Sequence, residues 1–213
     1  MQLQLALDQL DLQEALRIIG NLQDLIDIVE IGTPMIISEG LSAVRAAKQR
    51  FPHLTVLADV KIIDGGAYES RIAFEAGADI VSVLGLAYDV TIEAAAREAK
   101  RAERSIMVDL LGVHNVVDRI AQVERMGAAY VCIHTASDLH GLDSSTLRRL
   151  KETVGAVTTA KAAVAGGIDA STIDEIVAAR PAVVVVGGGI INQPDRRRAA
   201  RYLKTSMQRT GEV

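Results

Sequence analysis

Short apolar runs alternate along the whole chain with longer stretches whose apolar residues recur at helical spacing. Leu3 to Leu7 predicts a first strand ending at Asp8, and Leu12 to Ile19 predicts a helix. Ile26 to Ile31 predicts a second strand, with Glu30 near its end. After Gly32-Thr33, Pro34 suits a first helical turn, and the pattern continues as helix from Ile36 to Arg50. Leu54 to Lys61 predicts the third strand, broken off at Gly65-Gly66. Tyr68 to Ala76 predicts a helix that Gly77 stops.

The same pattern then recurs. Strands are predicted over Ala78 to Leu84, Ser105 to Leu110 and Ala129 to His134. Helices follow them over Thr91 to Ala102, over Val116 to Met126, and from a cap at Asp143 or Ser144 through Leu150. Ala156 to Ala165 contains another strand, ending at Gly166-Gly167, with a helix over Ser171 to Ala179. Ala182 to Val186 predicts the last strand, ending at Gly187-Gly188-Gly189, and Pro194 to Met207 the last helix.

Roughly eight strand–helix units imply a parallel sheet with crossover helices. With no linker in sight, residues 1–213 form one α/β domain, a closed (β/α)8 TIM barrel. An open doubly wound sheet is the alternative. At 213 residues the chain is short beside the usual ~250, so its loops must be tight.

Composition sharpens this picture. The chain is 49% hydrophobic but only 3% aromatic, so Val, Ile, Leu and Ala fill the core, as parallel strands buried on both faces require. Net charge is −4, and the one basic block, Arg196-Arg197-Arg198, reads as part of a solvated final helix. Neither suits nucleic acid. A single cysteine, Cys132, excludes an internal disulfide and a cysteine-based zinc site, and points to a reducing, cytoplasmic setting. The N-terminus lacks a basic leader and reads as a strand, not a signal peptide. No apolar run is long enough to span a membrane.

The chemistry gathers where strands end, which in a barrel is the working face. Those ends supply Asp8, Glu30, Asp59 with Lys61, Asp109 and His134. Asp59 and Lys61 are two apart, so a strand points both to one face. One such pair could be an ordinary solvated strand end; five strand ends delivering ionisable groups to one rim predict a pocket. Crowded carboxylates repel. Lys61 offsets one charge, which leaves room for a hard cation such as Mg²⁺ held by Glu30 and Asp59. The alternative is a metal-free network of Asp8, Lys61 and Asp59.

Gly166-Gly167 and Gly187-Gly188-Gly189 follow the last two strands, a recurrent phosphate site in barrels, where bare backbone N–H groups can approach oxygens. Glycines needed only for turning remain the alternative. His134 suits proton transfer, and Cys132, deeper in the same strand, suits a small hydrophobe. His53, His114 and His140 receive no chemistry. Together these groups predict a phosphorylated sugar-like ligand.

Asp59-x-Lys61-x-x-Asp64 matches the D-x-K-x-x-D signature of the orotidine 5′-monophosphate decarboxylase superfamily. Leu5-Ala6-Leu7-Asp8, Val29 to Pro34, Ala58 to Gly66, His134-Thr135, Val164 to Ile168 and Val186 to Ile190 extend the likeness over nearly the whole chain. In these segments the chain resembles the 3-hexulose-6-phosphate synthase family. The resemblance implies a (β/α)8 homodimer with shared active sites. It implies a reversible aldol reaction, dependent on Mg²⁺ or on Mn²⁺ in its place, joining formaldehyde to D-ribulose 5-phosphate. Carried over, Glu30 and Asp59 hold the metal, Lys61 stabilises an enediolate, and Asp8 positions it or a substrate hydroxyl. His134 is the acid–base group, Asp64 reaches the neighbouring subunit's site, and the glycine turns hold phosphate. The product would pass to a separate 6-phospho-3-hexuloisomerase.

The sister 3-keto-L-gulonate 6-phosphate decarboxylases typically carry arginines where this chain has Ser137 and Gly188, which favours the synthase branch. A barrel that binds a sugar phosphate without turning it over is the other alternative, and the intact set of ionisable residues argues against it.

Overall fold

The structure is a computed structural model that describes residues 1–136, 138 and 144–209. Its first half runs β1 (Gln2–Leu7), α1 (Leu12–Leu22), β2 (Ile28–Ile31), α2 (Thr33–Glu39), α3 (Ser42–Arg50), β3 (Thr55–Ile62), α4 (Gly66–Glu75), β4 (Ile80–Leu84) and α5 (Asp89–Arg101). The second half runs β5 (Ser105–Asp109), α6 (Val116–Met126), β6 (Tyr130–His134), α7 (Ser144–Ala156), β7 (Lys161–Ala165), α8 (Ile173–Ala178), β8 (Val183–Val186), α9 (Gly188–Ile191) and α10 (Arg196–Gln208). The eight strands close into a parallel barrel in sequence order. β1 pairs with both β2 and β8, Gln2 standing opposite Val183, so the open-sheet alternative is excluded.

Each strand has two buried faces. Leu3, Leu5 and Leu7 of β1 are fully buried in the layer between barrel and helices. Ile28, Leu57, Ile80, Met107, Cys132 and Val185 form a separate apolar cluster inside the barrel. Gln4, Ala6 and Asp8 occupy the lumenal side of β1. Carboxylates pin the strand starts at the opposite end. Asp27 accepts the Leu3 N–H at 2.7 Å and pairs with Lys204. Asp79 accepts the Val56 N–H at 2.9 Å and pairs with Lys48 at 2.7 Å.

Four details depart from the sequence reading. The helix expected over Ile36 to Arg50 is two, because Gly40 adopts φ 66° between α2 and α3. The short helix expected to end at Leu150 continues as α7 to Ala156, and Asp143 lies outside the described residues. The last glycine turn contains the one-turn helix α9. The arginine block is not simply solvated: Arg196 donates to Glu14 of α1 at 2.8 Å and Arg197 pairs with Asp24, so ion pairs fasten the last helix to the first. Among the described residues, no helix is long and apolar enough to cross a membrane.

Candidate active site

At the C-terminal ends of the strands a cavity of about 970 Å³ opens. Asp8, Glu30, Asp59, Lys61, Asp109 and His134 all line it, as do the five glycines of the last two turns. Asp64 does not line it. That side chain is exposed and, among the described residues, accepts its neighbour Gly65's N–H at 2.7 Å. Ser137 and His140 lie outside the described residues.

The centre of the site is an irregularity in β3. Ala58 pairs with Val81 and Ile62 with Val83, so β3 spends four residues where β4 spends two. Lys61 absorbs the excess at φ 49°, a conformation uncommon for any residue but glycine. This bulge turns Asp59 and Lys61 toward each other as an ion pair. Asp59 is 6% exposed, and its other partners are hydroxyls: Ser82 donates to Oδ1 at 2.7 Å, and Thr33 lies 2.9 Å from Oδ2. Burial works to raise the Asp59 carboxyl, but the Lys61 charge and these hydrogen bonds hold it below its ordinary value. Burial likewise opposes the Lys61 charge, and Asp59 overrides it, so the ammonium is held above its ordinary value.

Glu30 is less well compensated, for the Gln4 hydrogen bond and the Lys61 charge are outweighed. Among the described residues its side-chain hydrogen-bond partner is the amide of Gln4, whose Nε2 donates to Oε2 at 2.6 Å. Burial first, then the charge of Asp59, raise the Glu30 carboxyl well above the usual range. Asp8 is raised too, by partial burial and again by Asp59, although its edge is open to the cavity. Asp8 leans over Gly32, where an added methyl would stand 2.0 Å from Oδ1. The glycine of the Val29 to Pro34 segment is therefore there to let Asp8 in.

His134 closes the ring. Its Nδ1 lies 2.8 Å from Asp109 Oδ2, and Asp109 Oδ1 accepts the Leu111 N–H at 2.9 Å. A carboxylate only accepts, so this contact assigns the proton to Nδ1 and leaves the Nε2 lone pair free. Cys132 faces the lumen from a buried position, and burial raises its thiol well above its ordinary value, which leaves it a small hydrophobe.

On the far side the two glycine turns touch. A methyl on Gly189 would meet the Ile168 carbonyl at 2.2 Å, so Gly189 lets the turns pack together. Gly166 and Gly167 have φ 100° and 66°. Arg196, which sequence reasoning left in solvent, rims the cavity here and donates to the Ile191 carbonyl at 2.9 Å. Gln4, Thr33 and Ser82 were also missed, since none is an ionisable residue at a strand end.

Among the described residues no group of three His, Cys, Asp or Glu side chains could hold a metal. The described residues therefore offer no zinc- or copper-type centre of three or more such protein ligands. Mg²⁺ asks less, being usually held by one or two carboxylates with water and substrate oxygens. Glu30, half-buried on the cavity wall, and Asp59 beside it fit that ion by donor type, and a cation there would offset the carboxylate repulsion that Lys61 only partly relieves.

A parallel (β/α)8 barrel with carboxylates, one lysine and one histidine on its rim and glycine turns after β7 and β8 defines a class of sugar-phosphate barrel. A family model described as orotidine 5′-phosphate decarboxylase / HUMPS matches residues 1–203, and the chain belongs to that family. A 3-hexulose-6-phosphate synthase of Bacillus subtilis is 43% identical over 204 residues, covering 96% of this chain and 97% of that protein. One from Staphylococcus epidermidis is 41% identical over 208 residues, covering 98% and 99%. The crystal structure of 3-hexulose-6-phosphate synthase from Salmonella typhimurium superposes with a TM-score of 0.93 at 38% identity, covering 98% of this chain and 99% of that one. A 3-keto-L-gulonate-6-phosphate decarboxylase from Vibrio cholerae superposes at 0.86 with 25% identity. The synthases are thus the more similar in sequence.

Proposed function

We propose that this chain is a lyase of the 3-hexulose-6-phosphate synthase type, condensing formaldehyde with D-ribulose 5-phosphate to D-arabino-3-hexulose 6-phosphate. The observation that carries the reading is the juxtaposition, in one cavity, of a proton acceptor fixed by Asp109 and a lysine held charged by Asp59. The similarity of nearly the full chain to synthases supports it.

His134 Nε2 takes the C1 proton of the sugar phosphate, leaving an enediolate whose negative charge sits on the C2 oxygen beside the C1 hydroxyl. Lys61 donates toward that charge. Asp59 keeps it protonated, so it does not attack the carbonyl as a Schiff-base lysine would. C1 then attacks the formaldehyde carbon, and the new alkoxide takes back the proton that His134 holds. Asp8 orients a substrate hydroxyl. Glu30 and Asp59 would hold Mg²⁺, or Mn²⁺ in its place, which supplies positive charge for the enediolate oxygens. Backbone N–H groups of the turns at Gly166-Gly167 and Gly187 to Gly189 receive the phosphate. Gly188, the first residue of α9, has no side chain where the sister decarboxylases carry arginine.

The active unit in this reading is a homodimer. Near Asp64 in sequence, Ile63 of the β3–α4 connection and Tyr68 in the first turn of α4 are exposed, and the β4–α5 connection exposes Leu86 and Tyr88, Tyr68 and Tyr88 being 68% and 83% exposed. Exposed apolar side chains of this kind suit a second copy of the chain. A separate 6-phospho-3-hexuloisomerase would consume the product.

The test is formaldehyde consumption by the purified protein with D-ribulose 5-phosphate and Mg²⁺, and product identification by NMR. EDTA should abolish turnover and Mg²⁺ or Mn²⁺ restore it. Sugar-phosphate binding without turnover would leave only a binding barrel, and turnover in metal-free protein would remove the cation from the reading.

A further inference from the structure

The lumen below the site contains one residue that the reaction scheme does not use. Gln4 is 1% exposed, and register places it beside Ile28 of β2 and Val185 of β8, both apolar. Its Oε1 is buried and has no hydrogen-bond partner among the described residues. A leucine or methionine there would complete the apolar layer and remove the unpartnered Oε1, at the cost only of the contact to Glu30. Packing therefore does not explain a glutamine at this position. What it does make is the 2.6 Å bond from Nε2 to Glu30 Oε2.

We propose that Gln4 is a positioning residue for Glu30, fixing one carboxylate oxygen from below so that the other is presented to a divalent cation in the cavity. This rests on the synthase reading, which places the cation there. A neutral amide suits the task. Asp59 already has its charge offset by Lys61, whereas a second lysine under Glu30 would cancel the negative charge that draws the cation. Register explains the reach: Ala6 stands opposite Glu30, so Gln4 lies one lumenal step lower on the adjacent strand.

The experiment measures Mn²⁺ affinity by electron paramagnetic resonance on metal-free protein, with and without D-ribulose 5-phosphate, alongside thermal unfolding. Gln4→Met keeps length and removes the donor, and Gln4→Leu serves if that variant does not fold. The expected result is Mn²⁺ affinity weakened about tenfold to a hundredfold, the range for ligand-orienting partners, in a variant that still unfolds cooperatively without metal. Unchanged affinity with a lowered midpoint would make Gln4 a packing residue and overturn the proposal. So would a wild type that binds no Mn²⁺ under either condition. Failure of the synthase reading is separate, since it would show as absent formaldehyde turnover in wild type that does bind Mn²⁺.

Discussion

The backbone N–H of Lys61 donates to the Ser82 hydroxyl at 2.9 Å, and that hydroxyl passes its own proton to Asp59 at 2.7 Å. One serine on β4 thus satisfies the donor that the β3 bulge strands and fixes the carboxylate that the bulge turns inward. Ser82→Ala should leave a buried N–H and a buried carboxylate each short of a partner. We expect a loss of about 1–3 kcal/mol in urea unfolding, with a fall in kcat. Stability and turnover both unchanged would mean that the bulge is held by other contacts.

The same bulge marks the limit of what the sequence discloses. Asp59 and Lys61 were legible as a lumenal pair because strand alternation puts residues two apart on one face. The left-handed turn at Lys61 was not, since nothing in Ala58 to Ile62 is a glycine that would signal it. Strand ends were legible because parallel strands are apolar runs that ionisable residues interrupt. Gln4 was hidden for the converse reason. A polar residue alternating with Leu3 and Leu5 reads as solvent-facing, yet in a closed barrel the other face of β1 is the lumen. The arginine block was legible as an exposed start of the last helix, but its acidic partners were not, because Glu14 and Asp24 lie at the far end of the chain. Sequence distance gives no sign that a barrel brings its first and last helices together.

Asp109 governs which nitrogen of His134 meets the substrate. Asp109→Asn keeps the shape but offers an amide that can face Nδ1 with either its oxygen or its nitrogen, so both tautomers become populated. We expect kcat to drop about tenfold to a thousandfold with KM for D-ribulose 5-phosphate little changed. Steady-state kinetics of the variant check this, and a kcat within a factor of two of wild type would remove Asp109 from the proton-transfer machinery.

Glu124 of α6 anchors the turn before β7, whose end carries the first glycine pair. Its carboxylate accepts N–H groups of Thr158, Thr159 and Ala160 at 2.8–2.9 Å and the Thr158 hydroxyl at 2.7 Å. Burial opposes the charge, but these donors lower its pKa from 4.5 to about 2. A depressed carboxylate contributes stability above its unfolded value and loses it as pH falls through the folded one. The contribution should therefore be full above pH 4.5 and vanish toward pH 2. Glu124→Gln should cost about 1 kcal/mol at neutral pH, solvent screening included, and flatten the stability curve across that acid window. Denaturation at a series of pH values measures both, and parallel curves for the two proteins would show that the anchor is not electrostatic.

Asp64 is the one site candidate that its own cavity does not use. Its side chain is exposed at the start of the β3–α4 connection, three residues past Lys61, and exposed apolar Ile63 and Tyr68 lie close to it in sequence. A carboxylate on such a segment is placed to enter a partner's site when two such segments meet about a twofold axis. The arrangement can be tested with two variants that are each inactive alone. Asp64→Ala lacks the donated carboxylate, and His134→Ala lacks the proton acceptor. In a mixed dimer one site lacks both groups and the other lacks neither. Random pairing of equal amounts gives mixed dimers half the time, so co-refolding should recover about a quarter of wild-type activity. Native mass spectrometry reports whether subunits have exchanged. A mixture that exchanges and stays inactive would place Asp64 in the service of its own barrel, and the shared site would have to be abandoned.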